Sequence, residues 1–136
     1  MEVSAKQTIL IIEDDQSDVK ITKRVLSKIA PEIGMDEAFS GEAGLSLLRN
    51  GRFSPLLILL DLKMPGLSGF DVLRQIRADE RLKHLTVIVV TNSTLESDRQ
   101  KSIESGADDY LHKTFDIEQY GEDIKVLLKR YLGNSS

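Results

Sequence analysis

Three short apolar runs punctuate the chain: Ile9-Leu10-Ile11-Ile12, Leu56-Leu57-Ile58-Leu59-Leu60 and Val87-Ile88-Val89-Val90. Each is nearly continuous rather than alternating, and each ends at a polar residue. Runs of this length, rich in β-branched residues, predict strands buried on both faces. Met35–Phe39 and Asp109–Leu111 are weaker strand candidates. Between the runs the apolar positions switch to helical spacing. Ile21, Val25, Leu26 and Ile29 share one helical face. Leu45, Leu47 and Leu48 define a shorter helix, with Ser40 placed to cap it. Phe70, Leu73 and Ile76 form a third stripe, and Ile117, Tyr120, Ile124, Leu127, Leu128 and Tyr131 the longest. Ser93-Thr94-Leu95-Glu96 reads as a capping box that opens a further helix. The apolar face of that helix (Leu95, Ile103 and Ala107) is thin, so it is predicted to be the least firmly packed.

Strand then helix, repeated along the chain, predicts an α/β fold with a parallel sheet covered on both faces. Right-handed crossovers and short loops leave few topologies. The flavodoxin-like doubly wound sheet of five βα units, strand order 2-1-3-4-5, leads among them. The 136 residues suit one ordinary domain and suffice to bury a core. A single domain over residues 1–136 is expected, with its core at about 7–132. No linker, repeat or output domain is expected; after Leu132 only Gly133-Asn134-Ser135-Ser136 follow.

Composition narrows the function classes. No apolar run approaches the ~20 residues that span a bilayer, so a membrane is not an expected partner. Met1 to Gln7 are mostly polar and carry no signal-peptide core. A cytoplasmic location is expected. Cysteine is absent, which excludes disulfides and thiolate metal sites. A net charge of −4 with scattered Lys and Arg argues against nucleic acid as a direct partner.

Candidate chemistry follows from topology. Open parallel sheets bind ligands at the carboxyl ends of their strands, where the strand order reverses. Here that point lies between the first and third strands. The first ends in Glu13-Asp14-Asp15 and the third in Asp61. Asp15 is placed to cap the first helix, with Asp18 three residues on. Each remaining acid alone is more often a loop or turn residue; their joint placement points to a site. Carboxylates crowded together repel and raise one another's pKa, so either some are protonated or a cation sits among them. Magnesium, a hard ion that takes carboxylates, waters and phosphate oxygens, suits such a cluster. The fourth strand ends in Thr91 and the fifth in Tyr110-Leu111-His112-Lys113, on the same rim. A hydroxyl donor and an ammonium suit a phosphoryl group on Asp61, and aspartate is an established covalent acceptor of phosphoryl groups.

These residues resemble the response-regulator receiver domains of two-component signalling over essentially the whole chain. The resemblance rests on Ile11-Ile12-Glu13-Asp14-Asp15, on Asp61-Leu62-Lys63-Met64-Pro65-Gly66-Leu67-Ser68-Gly69, on Val89-Val90-Thr91 and on Tyr110-Leu111-His112-Lys113. It implies a phosphorelay protein that takes a phosphoryl group from a histidine kinase onto Asp61. It implies a magnesium site with Asp14 and Asp61 as direct ligands, Glu13 acting through water and the Lys63 carbonyl as a further ligand. Thr91 and Lys113 would contact the phosphoryl group, Tyr110 would turn inward as a switch, and Lys63 and Ser93 would control water access. A receiver catalyses its own phosphorylation and dephosphorylation without being a turnover enzyme. Output would pass through the surface of the fourth helix, fifth strand and fifth helix, to a downstream protein, a phosphotransfer protein or a second copy. The stretch Asp79–Leu85 and Thr91-Asn92-Ser93 are similar to a single-domain subgroup that includes partners of bacterial phytochrome-type histidine kinases.

Two departures stand out. Thr114 follows Lys113 where receivers usually have a cis proline, and a cis bond before a non-proline residue costs about 2.5–4 kcal/mol. Asn92 stands where a small residue is common. The alternatives are a phosphorylation-independent pseudo-receiver binding module and a small hydrolytic phosphotransferase. The second usually has an acid two residues after its nucleophile, where Lys63 stands. Neither a G-x-x-x-x-G-K-[ST] loop nor a G-x-G-x-x-G motif is present.

Overall fold

The computed structural model describes residues 7–51 and 54–133. Met1–Lys6, expected to lack a signal-peptide core, and the tail Asn134–Ser136 lie outside the described residues. The elements alternate as β1 (Thr8–Ile12), α1 (Gln16–Ile29), β2 (Gly34–Ala38), α2 (Gly41–Arg49), β3 (Leu57–Leu60), α3 (Gly69–Ala78), β4 (Val87–Thr91), α4 (Glu96–Glu104), β5 (Asp109–His112) and α5 (Ile117–Leu132). The strands form one parallel sheet in the order β2-β1-β3-β4-β5. The predicted flavodoxin-like order is the observed one.

Alternate residues along each central strand serve opposite faces, as the period of two requires. Leu10, Ile12, Ile58, Leu60, Val87 and Val89 pack with Leu45 and Leu48 of α2 and with Val72, Leu73 and Ile76 of α3. Ile9, Ile11, Leu57, Leu59, Ile88 and Val90 pack with Val19, Val25 and Leu26 of α1 and with Tyr120, Ile124, Leu127 and Leu128 of α5. Central strands buried on both faces explain the unbroken apolar runs. The edge strands β2 and β5 are only half-buried, which is why their sequence signal is weak. β2 begins one residue earlier than predicted, and Phe39 lies beyond it, exposed.

Two helical readings need correction. Ile21 lies at the exposed margin of α1, and Thr22 takes the buried position instead. Thr22 is tolerated there because its hydroxyl shares a 2.8 Å hydrogen bond with the Tyr120 hydroxyl, so neither polar atom is left unpaired. Nor does the Ser93–Glu96 capping box form. The Ser93 hydroxyl accepts from Leu95 N–H and donates to Asp98, so α4 starts at Glu96 without a side-chain cap. Only Ser102 of α4 is buried, and Leu95 and Ile103 are exposed. The thin packing predicted for this helix is present. The other caps behave as read: Asp15 accepts from Asp18 N–H, and Ser40 from Ala43 N–H.

The stretch 79–85 is folded rather than loose. Leu82 and Leu85 are buried, and the Arg77 guanidinium bonds the carbonyls of Lys83, Leu85 and Gly106 and the Asp108 carboxylate. Among the described residues no helix is long and apolar enough to cross a membrane.

One glycine is demanded by the site itself. A Cβ on Gly69 would lie 2.2 Å from the Asp61 carbonyl oxygen and 2.7 Å from Leu62 Cα. These are backbone atoms that cannot rotate away. Gly69→Ala is therefore expected to lower stability by about 3 kcal/mol, measured by urea denaturation, and a loss below about 0.5 kcal/mol would contradict this packing.

Candidate functional site

The sheet register extends past the strand ends and carries the candidate residues into one crevice. Ile12 pairs with Leu60 as the last residues of β1 and β3. Beyond them Asp61 N–H donates to the Ile12 carbonyl at 3.0 Å, and Glu13 N–H to the Ala38 carbonyl at 3.0 Å. Lys113 N–H donates to the Thr91 carbonyl at 2.7 Å, which sets the lysine beside the end of β4. Backbone bonds of the sheet thus position four of the predicted site residues. Asp14 follows Glu13 at the crevice mouth.

One carboxylate oxygen from each of Glu13, Asp14 and Asp61 lies within 4.8 Å of the others. Glu13 is buried, 4% exposed, and Asp14 is the most open of the three. Burial pushes the Glu13 carboxyl up to about 7; the Asp61 charge adds to this, while the Lys113 hydrogen bond opposes it. Burial likewise raises the Asp61 carboxyl, against the Lys113 charge and hydrogen bonding from Thr91. Lys113 bonds to Glu13 Oε1 and, at 3.0 Å, to Asp18 Oδ2. Burial disfavours its ammonium, but these acids outweigh burial and raise its pKa, so Lys113 is charged at neutral pH. One ammonium does not neutralise this many acids. The oxygen donors and the uncompensated negative charge fit a hard divalent cation.

Thr91 is buried at the end of β4, and its hydroxyl oxygen accepts from Ser93 N–H at 3.3 Å. Tyr110 is half-buried against the α2–α3 face of the core, and its hydroxyl donates to the Ser93 carbonyl at 3.2 Å. It points to the loop before α4 and makes no hydrogen bond to the acidic cluster. The Lys63 side chain is exposed and turns to Asp98 at 3.8 Å, the same carboxylate that Ser93 Oγ reaches at 2.6 Å. Lys63 and Ser93 are therefore joined through α4. Asn92 is exposed, and its carbonyl contacts His112 Nε2 at 3.2 Å. The Lys113–Thr114 bond is trans. The Thr114 hydroxyl accepts from Asp116 N–H at 3.2 Å, a turn that leads into the Asp116 cap of α5.

Asp18 is the residue that the sequence reading left out of the site. Its spacing from Asp15 marked it as part of a cap. The cap uses only its backbone N–H, which leaves the carboxylate to reach Lys113. No local pattern signals a contact between positions 18 and 113.

The fold and this acidic crevice define a receiver. Residues 9–125 match the response regulator receiver domain family, and the chain belongs to it. Among curated relatives it is 32% identical to the chemotaxis protein CheY of Pseudomonas aeruginosa, over 91% of this chain and 98% of that one. It is also 32% identical to the sensor histidine kinase CheAY of Helicobacter pylori, but there it spans only 14% of the relative. Among solved structures, the phosphorylated cyanobacterial phytochrome response regulator RcpA superposes with a TM-score of 0.87 at 26% identity, covering 97% of this chain and 98% of that one. The response regulator RPA3017, in red light signalling of R. palustris, gives 0.81 at 31% identity, covering 96% of each. The receiver domain of the sensor histidine kinase PA1611 from P. aeruginosa, solved with magnesium coordinated in its active-site cleft, gives 0.77 at 27% identity, covering 96% of this chain and all of that one.

The raised carboxyls give a signed pH dependence. Glu13 folds with a pKa of about 7 against an ordinary value of 4.5, so between those pH values the folded state keeps a proton that the unfolded state has lost. Metal-free stability therefore falls as pH rises from about 4.5 to 7, by up to about 3 kcal/mol from this group. A divalent ion held by the cluster would favour the deprotonated form and offset the loss. Magnesium is expected to raise Tm more at pH 7.5 than at pH 5. Asp61→Asn, which removes a charge that folding disfavours, should raise the metal-free Tm at pH 7.5 and shrink the magnesium effect. Thermal melts across this pH range check both, and equal magnesium shifts at both pH values would rule out the cluster as the metal site.

Proposed function

We propose that the chain is the phosphoacceptor of a two-component relay, with Asp61 as the residue modified. The observation that carries this is the convergence of the Glu13, Asp14 and Asp61 carboxylates with the Lys113 ammonium at the carboxyl ends of β1, β3 and β5. An Asp61 carboxylate oxygen attacks the phosphorus of a kinase phosphohistidine. The P–N bond breaks, and its electron pair returns to the imidazole nitrogen. The ammonium of Lys113 and the hydroxyl of Thr91 stabilise the phosphoryl oxygens on the product. Asp14, Asp61, the Lys63 carbonyl and, through water, Glu13 would hold a magnesium ion, which supplies positive charge that lets the anionic donor approach the carboxylates.

Phosphoryl contacts shift the domain between states only where they are better in one of them. Thr91 leads through Ser93 to the Tyr110 hydroxyl and to Asp98, so engagement of Thr91 reaches α4 and β5. Output is protein binding at the α4–β5–α5 face, by a downstream target, a phosphotransfer protein or a second copy. Lys63 and Ser93, joined through Asp98, govern water access to the phosphoryl group and so the rate of self-dephosphorylation. The likeness to regulators of phytochrome and red-light signalling supports a phytochrome-type sensor kinase as donor, in the cytoplasm. The gathered site favours this reading over a phosphorylation-independent pseudo-receiver.

Incubation of the protein with magnesium and a small acyl phosphate, followed by intact mass spectrometry, should show one added phosphoryl mass. Asp61→Asn should show none, and chelation should abolish the addition to wild type. Persistence of the label in Asp61→Asn would refute the assignment. A partner bound equally by wild type and Asp61→Asn, with and without phosphodonor, would favour the pseudo-receiver.

A further inference from the structure

Lys113 is held from two sides. One is Glu13, a member of the acidic cluster. The other is Asp18 of α1, whose Oδ2 lies 3.0 Å from the ammonium. The Lys113 side chain is 10% exposed and that of Asp18 27%, so this pair is shielded more than an ordinary surface ion pair. Asp18 is firmly placed. Its N–H donates to the Asp15 cap at 3.1 Å, and the next residue, Val19, is buried in the core between α1 and α5. Its carboxylate takes no part in the cap.

An ammonium has three N–H donors. In this state two face carboxylates, those of Glu13 and Asp18. Lys113, Glu13 and Asp61 also line one small cavity beneath the crevice, so the ammonium can turn toward Asp61. The contact with Asp18 opposes that turn. We propose that Asp18 is a positioning residue that restrains Lys113 in the unphosphorylated state, so that a phosphoryl group on Asp61 must draw the ammonium away from it. This rests on the reading of Asp61 as phosphoacceptor. Asp18 touches neither donor nor acceptor; it acts through Lys113 and sets how strongly the phosphorylated state is favoured.

The restraint differs from a simple field effect. The Asp18 charge also repels any anion on Asp61, but that repulsion does not need Lys113. The restraint does. Beryllium trifluoride, which mimics a phosphoryl group on a carboxylate, separates the two when titrated calorimetrically at saturating magnesium. Four proteins are compared: wild type, Asp18→Asn, Lys113→Met and the double variant. Asp18→Asn is expected to bind roughly three- to tenfold tighter than wild type, the range set by a partly shielded ion pair. Asp18→Glu should stay near wild type. In the Lys113→Met background, Asp18→Asn should tighten binding clearly less than in the wild-type background, by the field effect alone.

A gain in affinity cannot arise from a damaged fold. Unchanged or weaker binding by Asp18→Asn overturns the proposal, as does equal tightening with and without Lys113. Wild type that takes up the phosphoryl mass while Asp18→Asn shows no gain overturns the restraint alone. Wild type that neither binds the fluoride complex nor takes up the mass overturns the phosphoacceptor reading and this proposal with it.

Discussion

Like charge forced together by sheet register is the constraint on which the rest of the site depends. A parallel sheet brings the carboxyl ends of β1 and β3 side by side, and their ends carry Glu13, Asp14 and Asp61. Burial there disfavours ionisation of Glu13 and Asp61, and the Asp61 charge further penalises that of Glu13. The fold does not relieve this internally, since Lys113 is shared among Glu13, Asp18 and the field of Asp61. The metal-free protein therefore holds an unmet demand for positive charge at one spot on its surface. That demand makes a divalent cation a natural occupant, and it leaves Asp61 poised among groups that respond to any new charge placed on it.

The strands were legible because the central three are buried on both faces. Continuous apolar runs of four or five residues, set between amphipathic helices, fit little besides buried parallel strands, and the order of elements then left little freedom in topology. What the sequence obscured is local. Edge strands face solvent on one side, so β2 reads only weakly, as Met35 to Phe39, against the observed Gly34–Ala38. On α1 the pattern favoured Ile21 over Thr22, because a hydroxyl counts as polar until its partner is known. That partner, Tyr120, is 98 residues away. The Ser93–Glu96 pattern failed for a related reason: Asp98 and Leu95 N–H compete for the Ser93 hydroxyl and win.

The same distinction divides the candidate site. Glu13, Asp14, Asp61, Thr91 and Lys113 were found by where strands end, a rule of topology that needs no side-chain detail. The structure brings Glu13, Asp14, Asp61 and Lys113 into one crevice, with Thr91 at its edge. Asp18 obeys no such rule. It reaches Lys113 only because α1 packs beside α5 and turns that carboxylate inward. Thr114 is similar. In place of the ring usual after the lysine it offers a hydroxyl that accepts from Asp116 N–H, so the chain enters α5 through a hydrogen-bonded turn.

The weak packing of α4 gives the site somewhere to act. Its buried content is one serine, whose hydroxyl bonds back to the Asp98 carbonyl. Otherwise it is held by Lys101 over the Phe70 ring at 4.4 Å, by Asp98 with Ser93 and Lys63, and by the Tyr110 contact with the loop before it. Each such contact contributes on the order of 1 kcal/mol or less when exposed to water. The central strands and α1, α3 and α5, by contrast, bury several large apolar side chains apiece. On the proposed phosphoacceptor reading, a new charge at Asp61 would have a few kcal/mol of differential interaction to deliver through Thr91 and Lys113. That is too little to repack the core, and comparable to what fixes α4. Parts that move in a switch are drawn from the least stable part of a fold. Here that part follows Thr91 after only four residues, Asn92 to Leu95, which suits α4 and its loop to register the proposed change of state at Asp61.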